Sequence, residues 1–342
     1  MSKRKIRVLV VDDSFFTIKF LSEAIASDVG LEVVGTAADA YEARDKIIEL
    51  NPDVMTLDVD MPRMNGLDFL KQLMPQYPMP VLVVSAASNL VFDALQAGAV
   101  DFLSKTNMMD ENRRDAFISE LIVKIKIASI AKVGKHKPPY ANTPVHTPLE
   151  EQSKIIAMGA STGGTEATNT ILKDCGGDLP GIVMVQHMPP VFTRLYAERL
   201  NNTCPLAVRE ARDGDDVLPG LALLAPGDYQ MEVVRRGNGY RVKVYQGEKV
   251  SGHCPSVDVL FSSVAKAAGG AALGILLTGM GADGARGMLM MKEAGATNIG
   301  QNKESCIVYG MPMVAKNLGA ITYELPLDQI AKKIYAWSQP RK

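Results

Sequence analysis

A hydroxyl, an imidazole and a carboxylate set far apart in this chain have the types needed to cleave an ester or an amide. Ser161 lies in Gly-Ala-Ser-Thr-Gly-Gly, His187 in Val-Gln-His-Met-Pro and Asp283 in Thr-Gly-Met-Gly-Ala-Asp-Gly. A serine hydroxyl is a poor nucleophile until an imidazole takes its proton during attack. The imidazole in turn needs a carboxylate to orient it and to stabilise its positive form. Only four histidines occur, and His136 and His146 fall in a proline-rich stretch, which leaves His187 and His253 as possible bases of the second half. His253, in Ser-Gly-His-Cys-Pro-Ser-Val-Asp, is either a substrate-side group or a structural loop residue. The glycines beside these residues (Gly159, Gly163, Gly164, Gly279, Gly281 and Gly284) permit tight turns whose N–H groups can face a developing oxyanion.

A second set is carboxylate-rich. Asp12 and Asp13 end Val-Leu-Val-Val-Asp-Asp, Asp58 lies in Met-Thr-Leu-Asp-Val-Asp-Met-Pro, and Lys105 ends Asp-Phe-Leu-Ser-Lys. Three carboxylates brought together repel one another unless a hard divalent cation sits among them, and Mg²⁺ favours such an oxygen-rich setting. A carboxylate beside that ion, with an ammonium nearby, is suited to accept a phosphoryl group. Any one of these acids alone reads better as a helix N-cap or a solvated loop residue; the whole set on a β/α domain favours the phosphoacceptor. Asp60 is a competing acceptor, but it lies past the strand end and ranks second to Asp58.

These residues need elements to position them. Over residues 6–127, short apolar runs at Arg7–Val11, Glu32–Ala37, Val54–Asp58, Val81–Ser85 and Asp101–Leu103 predict strands separated by amphipathic stretches. Ile18, Leu21 and Ile25 share one helix face in the first of those stretches. Repeated β-then-α units imply a parallel sheet covered on both faces. Residues 128–153, with Lys-Pro-Pro-Tyr and Thr-Pro-Val-His-Thr-Pro, read as a stiff solvated linker.

From Lys154 the alternation resumes. Strands are expected at Ile155–Met158, Ile182–Gln186, Ala207–Glu210, Leu273–Leu277 and Thr297–Gly300. Helices are expected at Glu166–Leu172, Phe192–Leu200, Val257–Ala268, Ala285–Glu293 and Leu327–Trp337. Met231–Arg236, Gly-Asn-Gly and Tyr240–Tyr245 read as an antiparallel hairpin, whose Arg235, Arg236, Arg241 and Lys243 make a solvated face. Ser161, His187 and Asp283 each follow a strand, so one sheet would deliver all three to a single rim.

Composition narrows the function classes. The 342 residues carry 47% hydrophobic and 22% charged residues, enough for packed cores and unlike a disordered chain. A net charge of -1, from 37 basic and 38 acidic residues, does not suit a nucleic-acid binder. Cys175, Cys204, Cys254 and Cys306 are too scattered for a disulfide frame or a zinc site. The opening Met-Ser-Lys-Arg-Lys-Ile-Arg runs straight into a strand pattern without an apolar leader, so a cytoplasmic location without membrane insertion is expected. Gly159 to Gly163 matches the G-x-S-x-G elbow, but the chain order Ser, His, Asp differs from the Ser, Asp, His of α/β-hydrolases. Gly-Ala-Ser-Thr-Gly-Gly also lacks the spacing of a nucleotide-binding loop.

Residues 6–127 resemble the receiver domain of two-component response regulators, a flavodoxin-like fold. The resemblance implies Asp58 as phosphoacceptor, Asp12 and Asp13 as Mg²⁺ ligands with Asp58, Ser85 as hydroxyl contact, Lys105 as phosphate partner and Phe102 as aromatic switch. Thr106 departs from the proline, with its cis bond, that the family usually carries after the lysine. A receiver followed by Gly-Ala-Ser-Thr-Gly-Gly, Val-Gln-His-Met, His-Cys-Pro-Ser-Val-Asp and Thr-Gly-Met-Gly-Ala-Asp-Gly is similar to the CheB-type protein-glutamate methylesterases and glutamine deamidases. Gln-Asn-Lys-Glu-Ser-Cys-Ile-Val-Tyr-Gly-Met-Pro at 301–312 adds to the match.

That resemblance implies residues 1–127 as receiver, 128–153 as linker and 154–342 as a doubly wound parallel α/β catalytic domain. It implies a Ser161–His187–Asp283 triad, the Met280 N–H as oxyanion donor, and Thr162 and His253 near the substrate. Methyl-esterified glutamates of chemoreceptors would be the substrate and the chemotaxis histidine kinase the phosphodonor. The esterase chemistry would need no cofactor, the chain would be a monomer, and an unphosphorylated receiver would limit access to the active site. A phosphorylation-dependent transcription regulator and a silent receptor-binding adaptor are the competing classes. Against the first stands the absence of a basic recognition helix.

Overall fold

The computed structural model describes residues 4–86, 90–108, 113–133 and 154–339; residues 134–153 of the expected linker (128–153), with His136 and His146, lie outside them. The chain divides into two compact units, residues 1–136 and 137–342.

In the first unit β1 (Ile6–Val11), β2 (Leu31–Ala37), β3 (Val54–Leu57), β4 (Val81–Ser85) and β5 (Asp101–Ser104) alternate with five helices. These are α1 (Phe15–Ala26), α2 (Ala40–Leu50), α3 (Gly66–Gln76), α4 (Leu90–Gln96) and α5 (Arg114–Ser129), the last reaching two residues into the segment expected as linker. All pairings are parallel, in the order β2-β1-β3-β4-β5, which is the flavodoxin-like winding. Leu21 and Ile25 of α1 are buried on the face the periodicity assigns to the core. Ser14 caps α1 by accepting from the Thr17 N–H at 3.3 Å. Because β1 and β3 are neighbours, their carboxyl ends bring Asp12 and Asp58 together.

The second unit runs β6 (Ile155–Ala160), α6 (Gly164–Asp174), β7 (Gly181–Gln186), α7 (Phe192–Thr203), β8 (Ala207–Glu210), β9 (Asp216–Val217) and β10 (Leu221–Leu224). Then come β11 (Gln230–Arg236), β12 (Gly239–Tyr245), α8 (Val257–Ala268), β13 (Ala272–Leu276) and α9 (Ala285–Glu293). β14 (Thr297–Gln301), α10 (Met311–Asn317), β15 (Tyr323–Leu325) and α11 (Leu327–Ser338) complete it. Seven strands form one parallel sheet in the order β15-β14-β13-β6-β7-β10-β8. The expected hairpin is β11–β12, closed at Arg236 and Gly239, and it joins β9 in a separate antiparallel sheet. Arg236 and Arg241 pair with Asp216 across that sheet, on its exposed face.

Strand β6 is buried along its whole length, with β7 on one side and β13 on the other. The chain leaves β6 in one direction to β7 and returns later to its other flank as β13. The loops after β6 and β13 therefore part at a topological switch point, where open α/β sheets form their ligand crevice.

Candidate active site

Strand register sets the first two candidates side by side. Ala160, the last residue of β6, pairs with Gln186, the last of β7, so Ser161 and His187 leave adjacent strands at the same level. The His187 N–H donates to the Ala160 carbonyl at 3.1 Å and the Ser161 N–H to the Thr278 carbonyl at 3.0 Å. Leu276, at the end of β13, pairs with Gly159, which starts the Asp283 loop from the same rim. Gly279 lies so close that a Cβ there would stand 2.7 Å from Ser161 Cβ, so only glycine lets the two loops meet. The buried Thr278 hydroxyl ties them further, donating to the Thr162 carbonyl at 3.0 Å and accepting from the Val308 N–H at 2.9 Å.

His187 and Asp283 are in direct contact, with Nε2 2.8 Å from Asp283 Oδ2. A carboxylate accepts, so Nε2 carries a proton, and in the neutral ring the lone pair is then on Nδ1. Nδ1 is buried and has no hydrogen-bond partner. The Ser161 hydroxyl, which leaves the adjacent strand at the same level, is therefore not hydrogen-bonded to Nδ1, as is common in substrate-free sites.

Asp283 is a heavily engaged carboxylate. It is 1% exposed and accepts from the Ser256 hydroxyl at 2.7 Å, the Val257 N–H at 2.8 Å, and the Asp258 and Gly284 N–H groups at 3.0 Å each. Two of those donors are first-turn N–H groups of α8, whose own cap residue Ser256 makes no side-chain cap bond. Asp283 thus serves as the anion at that helix N-terminus. Burial pushes its carboxyl up, but the His187 hydrogen bond and charge, with the Asp258 N–H and Ser256 hydroxyl, outweigh it and hold it below the usual range.

Other expected residues fall around this pair. Met280 lies in the loop after β13 with an exposed side chain, and Thr162 is buried at the foot of the Ser161 turn. His253 stacks on His187, ring centroids 3.6 Å apart and planes 10° from parallel. Sequence reasoning missed two supports. Gln186 donates through Nε2 to the carbonyls of both Ser161 (2.9 Å) and His187 (3.3 Å), and Ser256 holds Asp283. Nothing in the residue types marks them; the only cues are their places at a strand end and before a helix.

In the first unit, oxygens of Asp12, Asp13 and Asp58 lie within 4.8 Å of one another. Lys105 Nζ sits 2.5 Å from Asp58 Oδ2 and 2.7 Å from Asp12 Oδ2, although the latter oxygen lacks an aligned hydrogen bond. Burial pulls the Lys105 ammonium down, but contact with Asp12 and Asp58 raises it overall, while burial raises Asp12 despite the lysine. The Ser85 hydroxyl is buried at the end of β4 without a partner. A hard cation among the acids and an anion beside Ser85 and Lys105 both fit these unsatisfied groups. Phe102 is buried against Phe92 in an edge-on contact of 6.4 Å. Asp60 is exposed and only donates its N–H to Asp58. The peptide after Lys105 is not cis; among the described residues the one cis bond is Cys254–Pro255. Thr106 therefore does not keep Lys105 from the acids.

Comparison with known proteins agrees with both halves. Residues 156–334 match the CheB methylesterase family model and residues 8–114 the response regulator receiver domain. A protein-glutamate methylesterase/protein-glutamine glutaminase 2 of Syntrophomonas wolfei subsp. wolfei is 53% identical over 335 residues, 98% of each chain. A Salmonella typhimurium protein named protein-glutamate methylesterase/protein-glutamine glutaminase is 48% identical over 337 residues, 97% of each. The crystal structure of the Thermotoga maritima CheB methylesterase catalytic domain is similar at TM-score 0.53 and 35% identity, covering 54% of this chain and 98% of that one. With a receiver domain ahead of a parallel α/β unit that carries the paired His187 and Asp283 beside Ser161, this chain belongs to the CheB methylesterase family.

Proposed function

We propose that this chain is a phosphorylation-regulated protein-glutamate methylesterase and protein-glutamine glutaminase acting on chemoreceptors. The observation that carries the reading is the state of His187. One ring nitrogen is committed to a buried carboxylate, and the other is desolvated, unbonded and one strand away from a serine that ends a glycine-rich turn.

His187 Nδ1 takes the Ser161 proton as Oγ attacks the ester carbonyl. Asp283 holds the Nε2–H and stabilises the imidazolium that forms. Backbone N–H groups of the glycine-rich loops, with that of Met280 foremost, receive the oxyanion. The proton on Nδ1 then passes to the departing methoxide, releasing methanol. Water, activated by the same nitrogen, frees glutamate from Ser161. With a glutamine side chain the leaving group is ammonia. Thr162 supports the nucleophile turn from beneath.

In the receiver, Asp58 is the acceptor, and Lys105 and Ser85 hold phosphoryl oxygens. Mg²⁺, held by Asp12, Asp13 and Asp58, would supply charge neutralisation for the transferred group. Phosphoryl transfer from a chemotaxis histidine kinase biases a two-state receiver, with Phe102 as its aromatic reporter, and relieves restraint on the esterase.

Methanol release from methylated receptor membranes, with and without a small-molecule phosphodonor, tests the proposal. Release that rises with the phosphodonor supports it. An enzyme that yields neither methanol nor ammonia in either condition would overturn it.

A further inference from the structure

The His187–His253 stack has a consequence beyond substrate contact. A single hydrogen bond, from Nε2 to Asp283, does not by itself fix the plane of an imidazole, and a change of plane would redirect the Nδ1 lone pair. Nδ1 has no partner of its own to stop this. The flat face of His253 lies against the ring, 3.6 Å away and within 10° of parallel. At that separation a rotated ring would collide with its neighbour.

His253 is itself firmly placed. Its N–H donates to the Val250 carbonyl at 3.0 Å and its carbonyl accepts from the Val250 N–H at 2.9 Å. Gln230 Nε2 donates to the same His253 carbonyl at 3.4 Å, while Gln230 Oε1 accepts from the Ser256 N–H at 2.9 Å. Ser256 in turn holds Asp283. One strand residue, Gln230, therefore ties the stacking ring and the carboxylate support into a single frame around His187.

We propose that His253 is a positioning residue that fixes the plane of the His187 imidazole, so that Nδ1 meets the Ser161 hydroxyl. It contributes an aromatic face rather than a proton or a bond to substrate. This rests on the esterase reading of His187.

The test uses the full chain and methanol release from methylated receptor, with kcat and KM separated. His253→Ala is expected to lower kcat about tenfold or more with KM little changed, the signature of lost orientation. His253→Phe, which keeps a flat ring without nitrogens, is expected to restore most of kcat. His253→Leu fills the space without a flat face and is expected to remain slow, which keeps the test open if the alanine variant unfolds. A raised KM at unchanged kcat would assign His253 to substrate contact and overturn the proposal. So would a phenylalanine variant as slow as the leucine variant, or an alanine variant as fast as wild type. Nitrogen-15 spectra of the His187 ring provide a readout free of turnover: removal of the stack is expected to broaden or shift them, and unchanged spectra overturn it. A wild-type chain that releases no methanol while the spectra respond would sink the esterase reading and leave the stacking role standing.

Discussion

Asp283 has two functions in one carboxylate: it orients His187 and it caps α8. Asp283→Asn keeps the shape but presents an amide N–H to a ring nitrogen that must donate, so the imidazole is driven toward the wrong tautomer. A loss of about 10⁴-fold in kcat is expected in the methanol assay, as removal of charge from such triads produces. The same residue sets an acid-stability signature. Its folded pKa lies below the unfolded value, so its contribution is fully present above the unfolded value of about 3.9 and is lost as pH falls through the folded one. Urea denaturation of wild type and Asp283→Asn should show a stability gap near neutral pH that narrows on acidification below about pH 4. A gap independent of pH would contradict it.

At the scale of elements, α8 is the part that places the acid. Ser256 spends its hydroxyl on Asp283 instead of on its own helix, and both groups are buried. Ser256→Ala removes a hydrogen bond to a charged group, so a loss of about 2 kcal/mol is expected in urea melts, with a lower kcat. Gly287 of α9 lets that helix close on α8, since a Cβ there would lie 2.7 Å from Phe261 Cβ and 2.8 Å from the Asp258 carbonyl oxygen. Gly287→Ala should therefore destabilise by about 1–3 kcal/mol through overpacking, measurable in the same melts.

The sheet strands that carry chemistry were legible because each is an apolar run ending at a marked residue, as with Ile155–Ala160 before Ser161. Leu221–Leu224 was not, although it lies inside the sheet between β7 and β8. Five residues between Pro-Gly pairs are too few to show a period, and only pairing with neighbours makes four of them a strand. Met311–Asn317 and Tyr323–Leu325 escaped for the same reason of length. In the site, Ser161, His187 and Asp283 declare themselves by type. Gln186 and Ser256 do not, because their contribution runs through backbone carbonyls and a second carboxylate contact that exist only once the loops have met.

For the whole molecule, two units with separate chemistry imply that phosphorylation and hydrolysis are separable by mutation. Asp58→Asn should abolish stimulation by a phosphodonor yet retain basal methanol release, because Asp58 belongs to the first unit and Ser161, His187 and Asp283 to the second. A chain of residues 154–342 should release methanol faster than the unphosphorylated full chain; a slower one would count against restraint by the receiver. Among the described residues no helix is long and apolar enough to cross a membrane. Beneath all of this is the claim that Ser161 is the nucleophile served by His187 and Asp283. The most direct measurement is methanol release by Ser161→Ala from methylated receptor. Loss of at least about 10³-fold relative to wild type is the expected result, and release at the wild-type rate would contradict the claim.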